Sequence, residues 1–168
     1  MIRIPSDLGT LKFLYVGITN PDPALTKDAP EDPNRSQNAS NPFTYYERLI
    51  MLRDAMVEFG VPRSEFEVVP FPINQPHLIR YYTPPDAVYF VTIYDQWGRS
   101  KASTLSKLGL TVDVMWEREL DEKSISGTEV RRLIAEGGNW QELVPKSVAS
   151  FLIEHRLVER IATLHKHD

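Results

Sequence analysis

The sequence predicts an α/β domain built on a mostly parallel sheet with helices on both faces. Three observations predict it. Two strand-length runs, Leu11–Thr19 and Ala87–Ile93, are nearly continuously apolar and rich in aromatic and β-branched residues, as in strands covered on both faces. Stretches with helical spacing, bounded by capping residues and glycines, lie between the strand-like segments. The resulting order of strand, helix, strand, strand, helix, strand, helix, helix is the alternation that builds parallel sheets through crossover helices.

The elements follow in turn. After the first strand, Asn20–Asn41 is dense in Pro, Asp, Asn and Ser and has no periodicity. It reads as a long loop, either functional and mobile or a plain surface insertion. Thr44 then caps a helix, with Glu47 three residues on as in a capping box; Leu49, Leu52, Met56 and Phe59 mark one face, and Gly60 stops the run. Phe66–Val69 is a short strand, followed by Pro70-Phe71-Pro72-Ile73-Asn74 and a helical turn over His77–Tyr82. Asp95 caps a helix reaching Leu108, ended by Gly109, and Thr111–Trp116 is the last strand. Ser126 or Gly127 opens a helix to about Ala135, before Gly137-Gly138. Pro145 suits the first turn of a final helix with Val148, Leu152 and His155 on one side. There is no internal repeat. Residues 1–168 read as a single domain, with 159–168 expected to be a flexible tail.

Composition narrows the function. The 168 residues include no cysteine, 19 Lys plus Arg and 23 Asp plus Glu, for a net charge of −4, and are 42% apolar. Disulfide scaffolds, thiolate zinc sites and cysteine nucleophiles are excluded. The acidic balance argues against a dedicated nucleic-acid binder while leaving room for a small basic pocket. No apolar run approaches the ~20 residues that span a bilayer, and Met1–Pro5 does not open a signal peptide. The reading is a cytoplasmic protein, in which the glycosylation patterns at Asn34 and Asn38 are chance matches.

Ligands of parallel α/β sheets bind beyond the carboxyl ends of the strands. Thr19–Asp22, Ile93–Trp97 and the segment from Trp116 into Ser126 are expected to converge there. The sharpest motif is Ile125-Ser126-Gly127-Thr128-Glu129-Val130-Arg131-Arg132. Two hydroxyls flank a residue without a Cβ at a helix start, where backbone N–H groups are unpaired and the helix dipole favours an anion. Arg131, one turn on, can fold back, which would complete a cradle for a triphosphate. Helix rules alone also fit an ordinary start, with Ser126 as cap and Arg131 a solvated charge.

That motif, continued by Leu133-Ile134-Ala135-Glu136-Gly137, Trp140 and Leu143-Val144-Pro145-Lys146-Ser147-Val148, resembles the C-terminal signature of the archaeal-type nicotinamide-nucleotide adenylyltransferases of the nucleotidyltransferase superfamily. Asn41-Pro42-Phe43-Thr44-Tyr45-Tyr46-Glu47-Arg48 resembles the segment that opens the family's second helix, and Val69–Asn74 a substrate loop. The resemblance spans roughly residues 11–158 in consistent order. It implies a Rossmann-like fold and transfer of an adenylyl group from ATP to nicotinamide mononucleotide or a similar phosphate, with release of pyrophosphate. It implies that Ser126, Gly127, Thr128 and Arg131 hold the outer phosphates, that Mg²⁺ is carried by the triphosphate, and that Asn74 borders the substrate nucleotide. Arg48 and Glu47 then either touch the substrate side or brace the loop. Trp97 either stacks on a base or packs on the sheet, and Trp116 reads as a core or rim aromatic. Asp22 is a turn residue rather than a metal ligand, and Glu117–Lys123 reads as a solvated loop. Expected partners are small-molecule nucleotides, with a homo-oligomer left open, and neither nucleic acid nor membrane. A cytidylyltransferase with another acceptor and a non-catalytic nucleotide-binding protein are the alternatives.

The sequence departs from the family in one respect. The Gly-x-Phe-x-Pro-x-His-x-Gly-His loop, whose histidines meet the α- and β-phosphates in the family, has no counterpart, and the four histidines are His77, His155, His165 and His167. His77 reads as a surface histidine and the last two as tail. The catalytic residues are therefore unassigned, and the chain as given is expected to transfer slowly or not at all. The family's first strand, central in its sheet, is also expected to be missing. Three arrangements would account for that: an N-terminally truncated chain, a replacement strand from Met1–Pro5, or a partner chain filling the gap.

Overall fold

A computed structural model describes residues 13–19, 22, 41–119 and 125–165. The expectations for Met1–Pro5, most of the Asn20–Asn41 loop, Asp121–Lys123 and His167 lie outside these residues. The described elements are β1 (Leu14–Thr19), α1 (Tyr45–Glu58), β2 (Phe66–Phe71), β3 (Val88–Ile93), α2 (Gln96–Lys107), β4 (Thr111–Glu117), α3 (Gly127–Glu136), α4 (Lys146–Glu154) and α5 (Leu157–His165). Short 3₁₀ turns cover Arg63–Glu65, Pro76–Tyr81 and Gln141–Leu143. This is a Rossmann-like α/β fold whose strand pairs are all parallel.

The sheet is divided. β1 pairs in parallel with β2 and β3 in parallel with β4, and no ladder joins the two halves among the described residues. β2 runs two residues past the expected Val69, through Pro70 and Phe71. A proline, which has no N–H, is tolerated on an edge strand, and among the described residues β2 is paired on one side only. The β3–β4 register slips between Val91 and Thr92, so that Val91 opposes Val114 while Thr92 opposes Trp116.

Among the described residues, three apolar clusters hold the fold. Ile18, Met56, Phe66 and Val68 close α1 over β1 and β2, and Ile79, Tyr89, Val91 and Leu105 close α2 over β3. The largest joins the helices through Met51, Ile134, Trp140, Ala149, Leu152, Leu157 and Ile161. Helix α1 therefore packs on two sides, Met56 toward the sheet and Met51 toward the other helices. Phe59, expected on the buried face, is 44% exposed at the helix end. His155 is also exposed, its ring tilted against that of Phe151 with centroids 4.3 Å apart.

Over residues 159–165 the expected flexible tail is instead part of a helix, α5. Arg156 adopts a left-handed conformation (φ 54°), the chain turns, and a further helix begins at Leu157. Leu157 and Ile161, at 1% and 2% exposure, bury its inner face. Glu58 of α1 also joins distant segments, its carboxylate accepting the Lys146 and Ser147 backbone N–H groups at 2.9 and 2.7 Å. It thereby caps α4, which has no side-chain cap of its own.

Candidate functional site

The start of α3 brings Ser126, Gly127, Thr128 and Arg131 together. Ser126 is the N-cap, and its hydroxyl accepts the Glu129 N–H at 3.1 Å. Arg131 folds back one turn, and its guanidinium donates to the Thr128 hydroxyl at 3.2 Å. Gly127 is where they meet, since a Cβ there would lie 3.1 Å from an Arg131 Nη. The missing side chain leaves room for the guanidinium beside the free N–H groups of the first turn.

Two neighbouring arginines differ in charge balance. Arg132 is held between Glu129 and Glu136 on the outer face of α3. Those hydrogen bonds and charges push its pKa upward. Arg131 is half-buried and has no carboxylate partner among the described residues. Loss of solvation pulls its pKa below the ordinary arginine value. A desolvated cation next to a hydroxyl and a helix N-terminus is an anion-seeking arrangement.

Arg48 lies on α1, where it donates to the Thr19 carbonyl at 2.8 Å. It braces the carboxyl end of β1. Glu47 is held in place from both sides. Its carboxylate accepts the Thr44 N–H at 2.8 Å while the Thr44 hydroxyl accepts the Glu47 N–H at 3.2 Å, and Arg160 of α5 donates two bonds of 2.8 Å to it. Burial raises the Glu47 pKa, but the bonds from Arg160 and Thr44 outweigh burial and leave it lowered. The capping box expected from the sequence is present, and Arg160, 113 residues away, is a partner no local pattern announces.

At the carboxyl ends of β3 and β4, Asp95 caps α2 by accepting the Gly98 N–H at 2.7 Å. Trp116, half-buried beside the register slip, donates its indole N–H to the Tyr94 hydroxyl at 3.0 Å, and Arg118 lies over its ring. Trp97, in the first turn of α2, is half-buried with the Lys101 ammonium 4.9 Å from its ring centre. Asn74 follows β2 in a tight turn, half-buried. Glu117, expected in a solvated loop, ends β4 and pairs with Arg99. Among the described residues no three His, Asp or Glu side chains are grouped to hold a metal ion, and no helix is long and apolar enough to cross a membrane.

The sequence matches no protein-family model. It is 47% identical over 150 residues to the phosphonoformate cytidylyltransferase of Streptomyces viridochromogenes, covering 89% of this chain and 80% of that protein. It is 34% identical over 133 residues to the nicotinamide-nucleotide adenylyltransferase of Thermococcus sibiricus, covering 77% of this chain and 68% of the relative. With that of Pyrobaculum arsenaticum it shares 36% over 132 residues, 73% of this chain and 68% of the relative. The chain therefore belongs to the family of nucleotidyltransferase enzymes that includes the archaeal nicotinamide-nucleotide adenylyltransferases and phosphonoformate cytidylyltransferase.

Proposed function

We propose that the protein transfers a cytidylyl group from CTP to a small acceptor bearing a phosphonate or phosphate. The observation that carries this reading is the 47% identity over 89% of the chain with a phosphonoformate cytidylyltransferase, against 33–36% for the adenylyltransferase relatives. An acceptor oxygen attacks the α-phosphorus of the triphosphate. The bond from that phosphorus to the oxygen bridging to the β-phosphate breaks, and pyrophosphate leaves. Such transfers rest on positioning and on neutralising charge as it develops. Thr128, Arg131 and the first N–H groups of α3 hold the outer phosphates of the nucleotide, which arrives with its Mg²⁺. Arg48 acts through Thr19, holding the end of β1, and Asn74, Trp97 and the Trp116–Tyr94 pair border the acceptor and base.

The second reading, adenylyl transfer from ATP to nicotinamide mononucleotide, is favoured by the relatives of that name and by the motif at Ile125–Arg131. Pyrophosphate release separates the two. CTP with phosphonoformate, and ATP with nicotinamide mononucleotide, are compared at equal concentrations. Cytidylyl transfer is expected to be faster; faster release with ATP and nicotinamide mononucleotide establishes the second reading instead.

A further inference from the structure

The carboxyl ends of β3 and β4 are tied together at several points. The Arg118 N–H donates to the Ile93 carbonyl at 2.9 Å. A Cβ on Gly98 would lie 3.2 Å from the Ile93 Cα, so the first turn of α2 sits directly against the end of β3. The register slip brings Trp116 opposite Thr92 and leaves Met115 without an opposite residue. Slips of this kind re-aim side chains.

Trp116 is occupied on two sides. Its indole N–H goes to the Tyr94 hydroxyl, and its ring carries the Arg118 guanidinium 5.5 Å from the ring centre. The indole has no donor left, and the face under Arg118 is closed to a base. What it presents is what it holds: the Tyr94 hydroxyl, whose own proton is not used in that bond, and the Arg118 guanidinium. Arg99, by contrast, is taken up by Glu117. Among the described residues no carboxylate takes up Arg118, which is exposed.

We propose that Arg118, held over Trp116, selects the nucleobase by donating to N3 and O2 of the cytosine of CTP, an inference that rests on the cytidylyl reading above. The strand ends lie where ligands of parallel α/β sheets bind, and the chain leads from Arg118 into the motif at Ser126. A guanidinium is a planar fork of donors with no acceptor. Cytosine presents two acceptors side by side, N3 and O2. Adenine sets its amino group beside a single acceptor, N1 or N7, and uracil has an N3–H between its carbonyls. The fork therefore makes two bonds with cytosine and one with either of the others. Stacking on the indole fixes its plane before the nucleotide arrives.

Nucleotide binding tests this without turnover. The chain and its Arg118→Ala and Arg118→Lys variants are titrated calorimetrically with the Mg²⁺ complexes of CTP, UTP and ATP. The parent is expected to bind CTP most tightly. Arg118→Ala should weaken CTP binding by roughly tenfold or more, the range for a two-bond base contact, and UTP and ATP binding by less than about threefold. Arg118→Lys keeps the charge without the fork and should lose the preference in the same way. The ratio between bases is a quantity that a merely structural role for Arg118 would not move. Equal losses for all three nucleotides assign Arg118 to the phosphates or to folding and overturn the proposal. A preference for CTP that survives both substitutions also overturns it, and leaves cytidylyl transfer standing. So does a parent that binds CTP no better than ATP, and pyrophosphate release then decides by itself which transfer the enzyme performs.

Discussion

Phe71, the last residue of β2, and Tyr89 of β3 meet with ring centroids 6.3 Å apart, linking strands that belong to separate halves of the sheet. Phe71 reaches past β1 because Gly17 has no side chain in its path. A Cβ on Gly17 would lie 2.9 Å from the Phe71 Cβ and 3.1 Å from its Cγ. The Tyr89 hydroxyl shares a 2.5 Å hydrogen bond with the Thr83 hydroxyl, which fixes the other ring.

Gly17→Val should therefore destabilise the fold by about 1–3 kcal/mol, the cost of overpacking a close contact. Urea unfolding measures it. A variant as stable as the parent would show that Phe71 finds another path at no cost.

Arg131→Ala should weaken triphosphate binding by ~1.5–3 kcal/mol, the range for a hydrogen bond to a charged group. Arg132→Ala should leave affinity nearly unchanged, because Arg132 is already taken by Glu129 and Glu136. Calorimetric titration with CTP and with ATP distinguishes the pair. If Arg131→Ala binds both nucleotides like the parent, Arg131 is not part of the site.

Thr44→Ala removes the acceptor for the Glu47 N–H and opens the capping box. The expected loss is about 1 kcal/mol, read from the thermal or urea transition. Thr44→Ser retains the hydroxyl and should recover most of it. A full loss in the serine variant would move the explanation from the cap to the threonine methyl group.

Glu47 carries a pH dependence. Its folded-state pKa lies below the ordinary 4.5, because the Arg160 and Thr44 bonds outweigh the burial that raises it. A carboxylate with a lowered pKa contributes stability that is fully present above the unfolded value and is lost as pH falls through the folded one. The unfolding temperature should thus drop below about pH 4.5, and Glu47→Gln should flatten part of that drop while lowering stability at pH 7. Identical acid limbs in the two proteins would assign the dependence to other groups, with Glu58 and Glu67, also lowered by hydrogen bonds, next in line.

The local grammar of this chain was legible from residue order alone. Thr44 with Glu47, Asp95 with Gly98 and Ser126 with Glu129 are caps whose partners lie three residues apart, and each forms as its spacing implies. The strands were legible for the same reason, since apolar runs of strand length bounded by turn residues leave few other conformations. The Gly127 and Arg131 arrangement was half legible: the spacing puts both on one turn, but only the folded chain shows Arg131 desolvated and Arg132 neutralised.

What the sequence did not disclose depends on residues far apart in the chain. Glu47 meets Arg160 across 113 positions, and Glu58 caps α4 across 88. Helix α5 was missed because Arg156 breaks the helical run with a left-handed residue that is not glycine, while the burial that holds the next helix comes from Leu157 and Ile161 packing among α1, α3 and α4. Apolar spacing states that a face will be buried, not against what. By itself, then, the sequence determined the starts of α1, α2 and α3, the parallel α/β character and the turn that joins Ser126 to Arg131, because those follow from bonds and spacings within a few residues. The pairing of β1 with β2 and of β3 with β4, the contact of Phe71 with Tyr89 and the bracing of β1 by Arg48 were decided by tertiary structure, because each is a relation between segments brought together only when the apolar faces pack.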